Sequence, residues 1–200
     1  MGTVNPAVVT PTGAAAAGRV AEEFVNSFTL GCGQFCTKPG LLLVPRGSGL
    51  AQMVAQQVRN SEGAWLLTEA IADHYHAGLR DLVDAGGTIL ATGDTPGSGY
   101  AAAPAVLQVT PDALTRDSRL REECFGTVAL VTEYDDLDHA EQILAGLQGS
   151  LAGSLITSGP GDPAVPRLVA ALAGQVGRVA VNAWPTGVTC TDGMHHGGCL

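Results

Sequence analysis

Cys36 stands in the run Gly31-Cys32-Gly33-Gln34-Phe35-Cys36-Thr37-Lys38-Pro39-Gly40, a glycine-rich loop between a helical pattern and an apolar strand pattern. A thiol attacks carbon as its thiolate, and a short loop with fixed flanks both holds a thiolate and leaves it open to a small molecule. Taken alone, a cysteine reads more often as a small buried apolar residue. Cys36 also follows a helix C-terminus, whose partial negative charge disfavours a thiolate. Lys38 can offset that charge, but its expected place is the surface. Activation then falls to backbone N–H groups, a cofactor or a base elsewhere. Glu122-Glu123-Cys124-Phe125-Gly126-Thr127-Val128 sets carboxylates and a ring before a strand; by itself it reads as a solvated acidic turn. Cys190, His195, His196 and Cys199 carry zinc-type donors, but their C-x4-H-H-x2-C spacing matches no common structural site, so no metal is expected. The five acids of Glu133 to Glu141 lack the register of a calcium loop. Gly93-x3-Gly97-Ser98-Gly99 has no following lysine and is no P-loop, and no G-x-G-x-x-G occurs.

The elements that must position these residues alternate. Pro6 to Thr10 reads as a strand. Ala17, Val20, Ala21, Phe24, Val25 and Phe28 recur at helical spacing, with Arg19, Glu22, Glu23 and Asn26 on the other face, and Gly31 and Gly33 stop the helix. Leu41-Leu42-Leu43-Val44 is a continuous apolar run, as in a strand covered on both faces. Helices follow over Gly49 to Asn60 and Leu66 to Ala85, then strands at Thr88 to Ala91 and Ala105 to Val109. Val128 to Thr132, Asp135 to Leu147 and Leu151 to Thr157 form a β-α-β unit, with Asp135 and Asp136 suited to the helix start. A last helix, Pro163 to Ala173, leads to the strand Arg178 to Asn182. The fold class is α/β, a mostly parallel sheet with helices on both faces. Gly93 to Tyr100 is the expected exposed loop.

The composition sets limits on partners. Two hundred residues, 46% of them hydrophobic, make one domain with a sizeable core. A net charge of −9, with Lys38 the sole lysine, argues against nucleic acid. The uncharged run from Thr95 to Pro111 holds three prolines and two glycines and does not suit a membrane span. No secretory signal opens the sequence, and five widely spaced cysteines fit reduced thiols, so the expected location is cytoplasmic.

The pattern Phe28-x4-Gly33-Gln34-x-Cys36 followed by an apolar strand resembles the active-site segment of the NAD(P)-dependent aldehyde dehydrogenases. Glu123-x-Phe125-Gly126 resembles the family's Glu-x-Phe-Gly-Pro segment, with Thr127 in place of the proline. Trp184-Pro185-Thr186-Gly187-Val188 followed by His196-Gly197-Gly198 is most similar to the α-ketoglutaric semialdehyde (2,5-dioxopentanoate) dehydrogenase subgroup. The resemblance runs from Met1-Gly2 to Gly198. It implies a catalytic domain over residues 1–200 in which Cys36 forms a thiohemiacetal and then a thioester, and its backbone N–H is half of an oxyanion hole. It implies that Glu123 and Phe125 hold the nicotinamide-ribose end of NAD or NADP, and that Phe35, Trp184, Pro185 and Thr186 face a small-molecule aldehyde. The catalytic glutamate of the family falls just before Met1-Gly2-Thr3. The cofactor-binding domain and a C-terminal oligomerisation strand, which makes the complete enzyme a homo-oligomer, lie outside these residues. A fragment of this kind is expected to be inactive alone. Two alternatives stand beside that reading: a cofactor-independent weak thiol esterase, and a truncated, non-catalytic interaction domain.

Overall fold

The computed structural model describes residues 4–187. Strand β1 (Pro6–Val9) leads through a short 3-10 turn to helix α1 (Ala17–Thr29). Then come β2 (Leu41–Pro45), α2 (Leu50–Arg59), β3 (Ala64–Trp65), α3 (Glu69–Asp84) and β4 (Thr88–Thr92). They are followed by β5 (Ala101–Ala102), β6 (Ala105–Gln108), α4 (Pro111–Arg116) and β7 (Val128–Tyr134). The order closes with α5 (Leu137–Ala145), β8 (Ser150–Ile156), α6 (Val165–Ala173) and β9 (Val176–Val181).

Seven strands form one sheet in the order β4-β6-β7-β2-β1-β8-β9. All neighbours are parallel except β4, which runs antiparallel to β6 at the edge. The predicted α/β fold is therefore observed. Side chains alternate across a pleated strand, and β2 shows the consequence. Leu41 and Leu43 enter one core with α3, α4, α5 and α6, while Leu42 and Val44 enter another with α1 and α2. All four are fully buried, which is why the run reads as apolar without alternation.

Three elements differ from the sequence expectation. Helix α3 begins at Glu69 rather than Leu66, because the Thr68 hydroxyl accepts the Ile71 N–H at 3.3 Å and caps it there. The preceding Ala64–Trp65 pairs instead with Ala101–Ala102 in a two-stranded antiparallel ribbon. Helix α4 was not anticipated, although Thr110 before Pro111 is a start signal and its hydroxyl accepts the Ala113 N–H at 3.2 Å. Among the described residues, no helix is long and apolar enough to cross a membrane.

Past the C-terminal end of β1 lies a buried carboxylate, Asp162. It accepts the hydroxyls of Thr10 and Thr12, the Ala164 N–H at 3.0 Å and the Ser158 N–H at 3.4 Å. Burial pushes its pKa up, but these donors outweigh burial and hold it below the usual carboxylate value. A carboxyl whose pKa is depressed on folding stabilises the fold above its unfolded pKa and loses that contribution as pH falls through its folded value. Asp162→Ala should therefore lower unfolding free energy at pH 7 by about 2–3 kcal/mol, and the deficit should shrink in acid, as read by urea denaturation across pH.

Candidate active site

Parallel strands start at the same end, so the segments before β1, β2 and β7 meet there. Gly40 N–H donates to the Val4 carbonyl at 2.7 Å, and the Gly40 carbonyl accepts the Leu130 N–H at 2.8 Å. Between α1 and β2, the Lys38 N–H donates to the Phe35 carbonyl at 3.0 Å, which closes a turn with Cys36 and Thr37 at its tip. Cys36 is exposed. The turn is supported from below by Asn5, a residue the sequence reading missed. Asn5 is fully buried; its Nδ2 donates to the carbonyls of Cys36 (2.8 Å) and Lys38 (3.0 Å), and its Oδ1 accepts the Ala152 N–H (3.1 Å). It sits at φ +48°, a left-handed conformation that asparagine tolerates better than most residues. The available signal was an Asn-Pro pair opening a strand.

The loop that carries Glu123 and Phe125 abuts the thiol loop backbone to backbone. A Cβ on Gly33 would fall 2.1 Å from the Gly126 carbonyl oxygen, and one on Gly126 would fall 2.4 Å from the Tyr75 ring. Both positions also have positive φ, so glycine is required at each. Glu123 and Phe125 are half-buried. Thr127, in the place of the family proline, accepts the Ala105 N–H on its carbonyl at 2.9 Å. The Thr127 hydroxyl is buried with no hydrogen-bond partner.

The expectation of a surface Lys38 is overturned. Its side chain is 3% exposed, and its ammonium donates to the carbonyls of Cys124 (2.8 Å), Gly126 (3.0 Å) and Val128 (2.8 Å). Lysine there replaces water with backbone oxygens, which a sequence pattern cannot show. Burial lowers its pKa to about 8, against the pull of Cys124 and Glu123.

The three described cysteines have different environments. Cys32 is buried, with φ +57° and its thiol directed at the Ala64 carbonyl at 3.4 Å, and burial raises its pKa. Burial likewise raises Cys124, whose thiol faces the Tyr75 carbonyl at 3.8 Å. The buried, structural role that a lone cysteine suggests is filled by Cys32, not Cys36.

Of the expected substrate residues, Phe35 is exposed beside Cys36 on the turn itself, with its ring over Gly31. Trp184 and Thr186 are held by α1. Trp184 packs on Phe24 with ring centroids 5.6 Å apart, and its indole N–H donates to Glu23 at 3.0 Å. Pro185 is buried, and Thr186 accepts the Ser27 hydroxyl at 2.9 Å. Exposed Leu30, just before the thiol loop, faces Gly187 and links the two groups. Cys190, His195, His196 and Cys199 lie outside the described residues. Among the described residues, no group of three metal-type side chains comes together.

Glu123 and Phe125 suit one end of a dinucleotide. A half-exposed carboxylate can accept from ribose hydroxyls, and the ring two residues on can support a flat heterocycle.

Comparison with known proteins gives the family. Residues 1–199 match the pattern of the aldehyde dehydrogenase family, and the chain belongs to that family. It is 35% identical over 203 residues to alpha-ketoglutaric semialdehyde dehydrogenase 2 of Azospirillum brasilense, covering 99% of this chain and 39% of that protein. It is 33% identical over 204 residues to alpha-ketoglutaric semialdehyde dehydrogenase of Acinetobacter baylyi, with the same coverage of 99% and 39%. The chain thus spans about two fifths of the length of these curated relatives. The crystal structure of NAD-dependent aldehyde dehydrogenase from Sinorhizobium meliloti shares the fold at a TM-score of 0.82 and 22% identity, covering 100% of this chain and 40% of that one.

Two outcomes follow. Under native conditions iodoacetamide should modify Cys36 at least about tenfold faster than Cys32 or Cys124, as read by peptide mass mapping. Asn5→Ala should cost about 3 kcal/mol, since it orphans buried carbonyls and sets alanine at positive φ. It should also change the Cys36 alkylation rate, because the turn loses its support.

Proposed function

We propose that, in the complete protein, this chain supplies the catalytic domain for NAD(P)-dependent oxidation of a semialdehyde, 2,5-dioxopentanoate to 2-oxoglutarate. The observation that carries the reading is an exposed thiol, Cys36, on a tied-down turn against the Glu123–Phe125 loop, in a chain of the aldehyde dehydrogenase family. The names of the two curated relatives support the substrate class.

The Cys36 thiolate adds to the aldehyde carbon and forms a tetrahedral thiohemiacetal. The Cys36 backbone N–H donates to the developing oxyanion, which is worth several kcal/mol in a site shielded from water. When bound, the nicotinamide ring supplies the two-electron acceptor. Glu123 binds its ribose hydroxyls, and Phe125 supports the ring side. The thioester left on Cys36 is released by water. We assign the second oxyanion donor, the water-activating carboxylate and the other dinucleotide contacts to the additional length that the relatives possess. Phe35 lines the approach to the thiol, and Trp184, Pro185 and Thr186 shape the far wall along α1.

The test is reduction of NAD or NADP by the native protein with 2,5-dioxopentanoate. Cys36→Ser should lower turnover by at least about a thousandfold with the fold intact. Turnover that survives the substitution would refute the assignment. Glu123→Gln should raise the KM for the dinucleotide more than it lowers kcat, as read by initial-rate kinetics.

A further inference from the structure

Lys38 is out of place if its only duty is to fill space. Removing an ammonium from water costs several kcal/mol, and a methionine of similar volume would fill the same site without that penalty. The cation meets that cost with three backbone carbonyls, those of Cys124, Gly126 and Val128, on the loop that carries Glu123 and Phe125. Its own main chain belongs to the Cys36 turn: its N–H closes the turn on Phe35, and its carbonyl is held by Asn5. One residue therefore belongs to the thiol turn by its backbone and to the second loop by its side chain. A cavity of about 20 Å³, lined in part by Lys38, Glu122, Glu123 and Cys124, lies beside the cation. The segment it holds is thus not packed solid on that side.

We propose that Lys38 is a positioning residue, whose buried ammonium ties the Glu123–Phe125 loop to the Cys36 turn and so sets the nucleotide-facing carboxylate at a fixed place relative to the thiol. What Glu123 binds rests on the function proposed above; the tether itself does not.

The two ties separate the two loops. Asn5 holds the turn, and Lys38 holds the neighbouring loop. In the native protein, Lys38→Met should speed amide hydrogen exchange across residues 122–128 by tenfold or more. It should weaken NAD(P) binding, measured by titration without aldehyde, by tenfold or more. The rate of Cys36 alkylation should stay within twofold, because Asn5 still supports the turn. A general loss of packing would instead raise exchange throughout and move Cys36 alkylation as well, and that result would overturn the proposal, as would unchanged exchange at 122–128. Lys38→Gln, which keeps two donors on a shorter stem, should give the same pattern at smaller size and serves if the methionine variant does not fold. The wild-type protein provides a further check: exchange at 122–128 as fast as in an unstructured peptide would refute the tether whatever the variants do. Failure of the wild-type protein to bind NAD or NADP would sink the functional reading, while the exchange result would still decide the role of Lys38.

Discussion

The side-chain amide of Asn5 is the interaction on which the rest of the site depends. A buried polar group that loses its partner costs about 1–3 kcal/mol, so each of its hydrogen bonds is a strong positional restraint. Asn5 spends both donors on the turn that presents Cys36 and its acceptor on Ala152 in β8. The residue directly precedes β1, which lies between β2 and β8, so the thiol turn is referred to the interior of the sheet. Lys38 then extends the reference frame one loop further, and the Gly33–Gly126 contact sets the spacing between the loops.

This places the site at an unusual end of the sheet. In open α/β sheets, ligands generally bind beyond the carboxyl ends of the strands. Here the thiol turn precedes β2, the Glu123–Phe125 loop precedes β7, and Asn5 precedes β1. The adjacency of β7, β2 and β1 in the sheet brings these three segments together, although they are far apart in sequence. The opposite end of β1 is occupied by the Asp162 network, whose donors and acceptor are matched to one another. That end serves stability.

Much of the fold was legible because its physics is periodic. The α1 stripe from Val20 to Phe28 and the unbroken Leu41–Val44 run each have one reading when a sheet is covered on both faces. Strand β4 was legible but its antiparallel direction was not, and neither were the two-residue ribbon strands, since direction and pairing of short strands are set by tertiary contacts. Cys36, Glu123 and Phe125 were expected from segments that resemble the family's, and the structure brings the loops that carry them into contact. Lys38 was misread because a lysine without periodic context defaults to solvent, and only the carbonyls of a distant loop explain its burial. Asn5 was missed for a related reason: its three side-chain partners, Cys36, Lys38 and Ala152, lie far along the chain. Trp184 was read toward the substrate, and what the structure shows is that it anchors the loop to α1 by packing on Phe24.

The most direct test of the account is to catch the bond it requires. The native protein, turning over 2,5-dioxopentanoate with its nicotinamide cofactor, is quenched in acid and mapped by peptide mass spectrometry. The account predicts an acyl adduct on the peptide that carries Cys36, with Cys32 and Cys124 unmodified. Continued turnover with no adduct at Cys36, or an adduct on another cysteine, would contradict it.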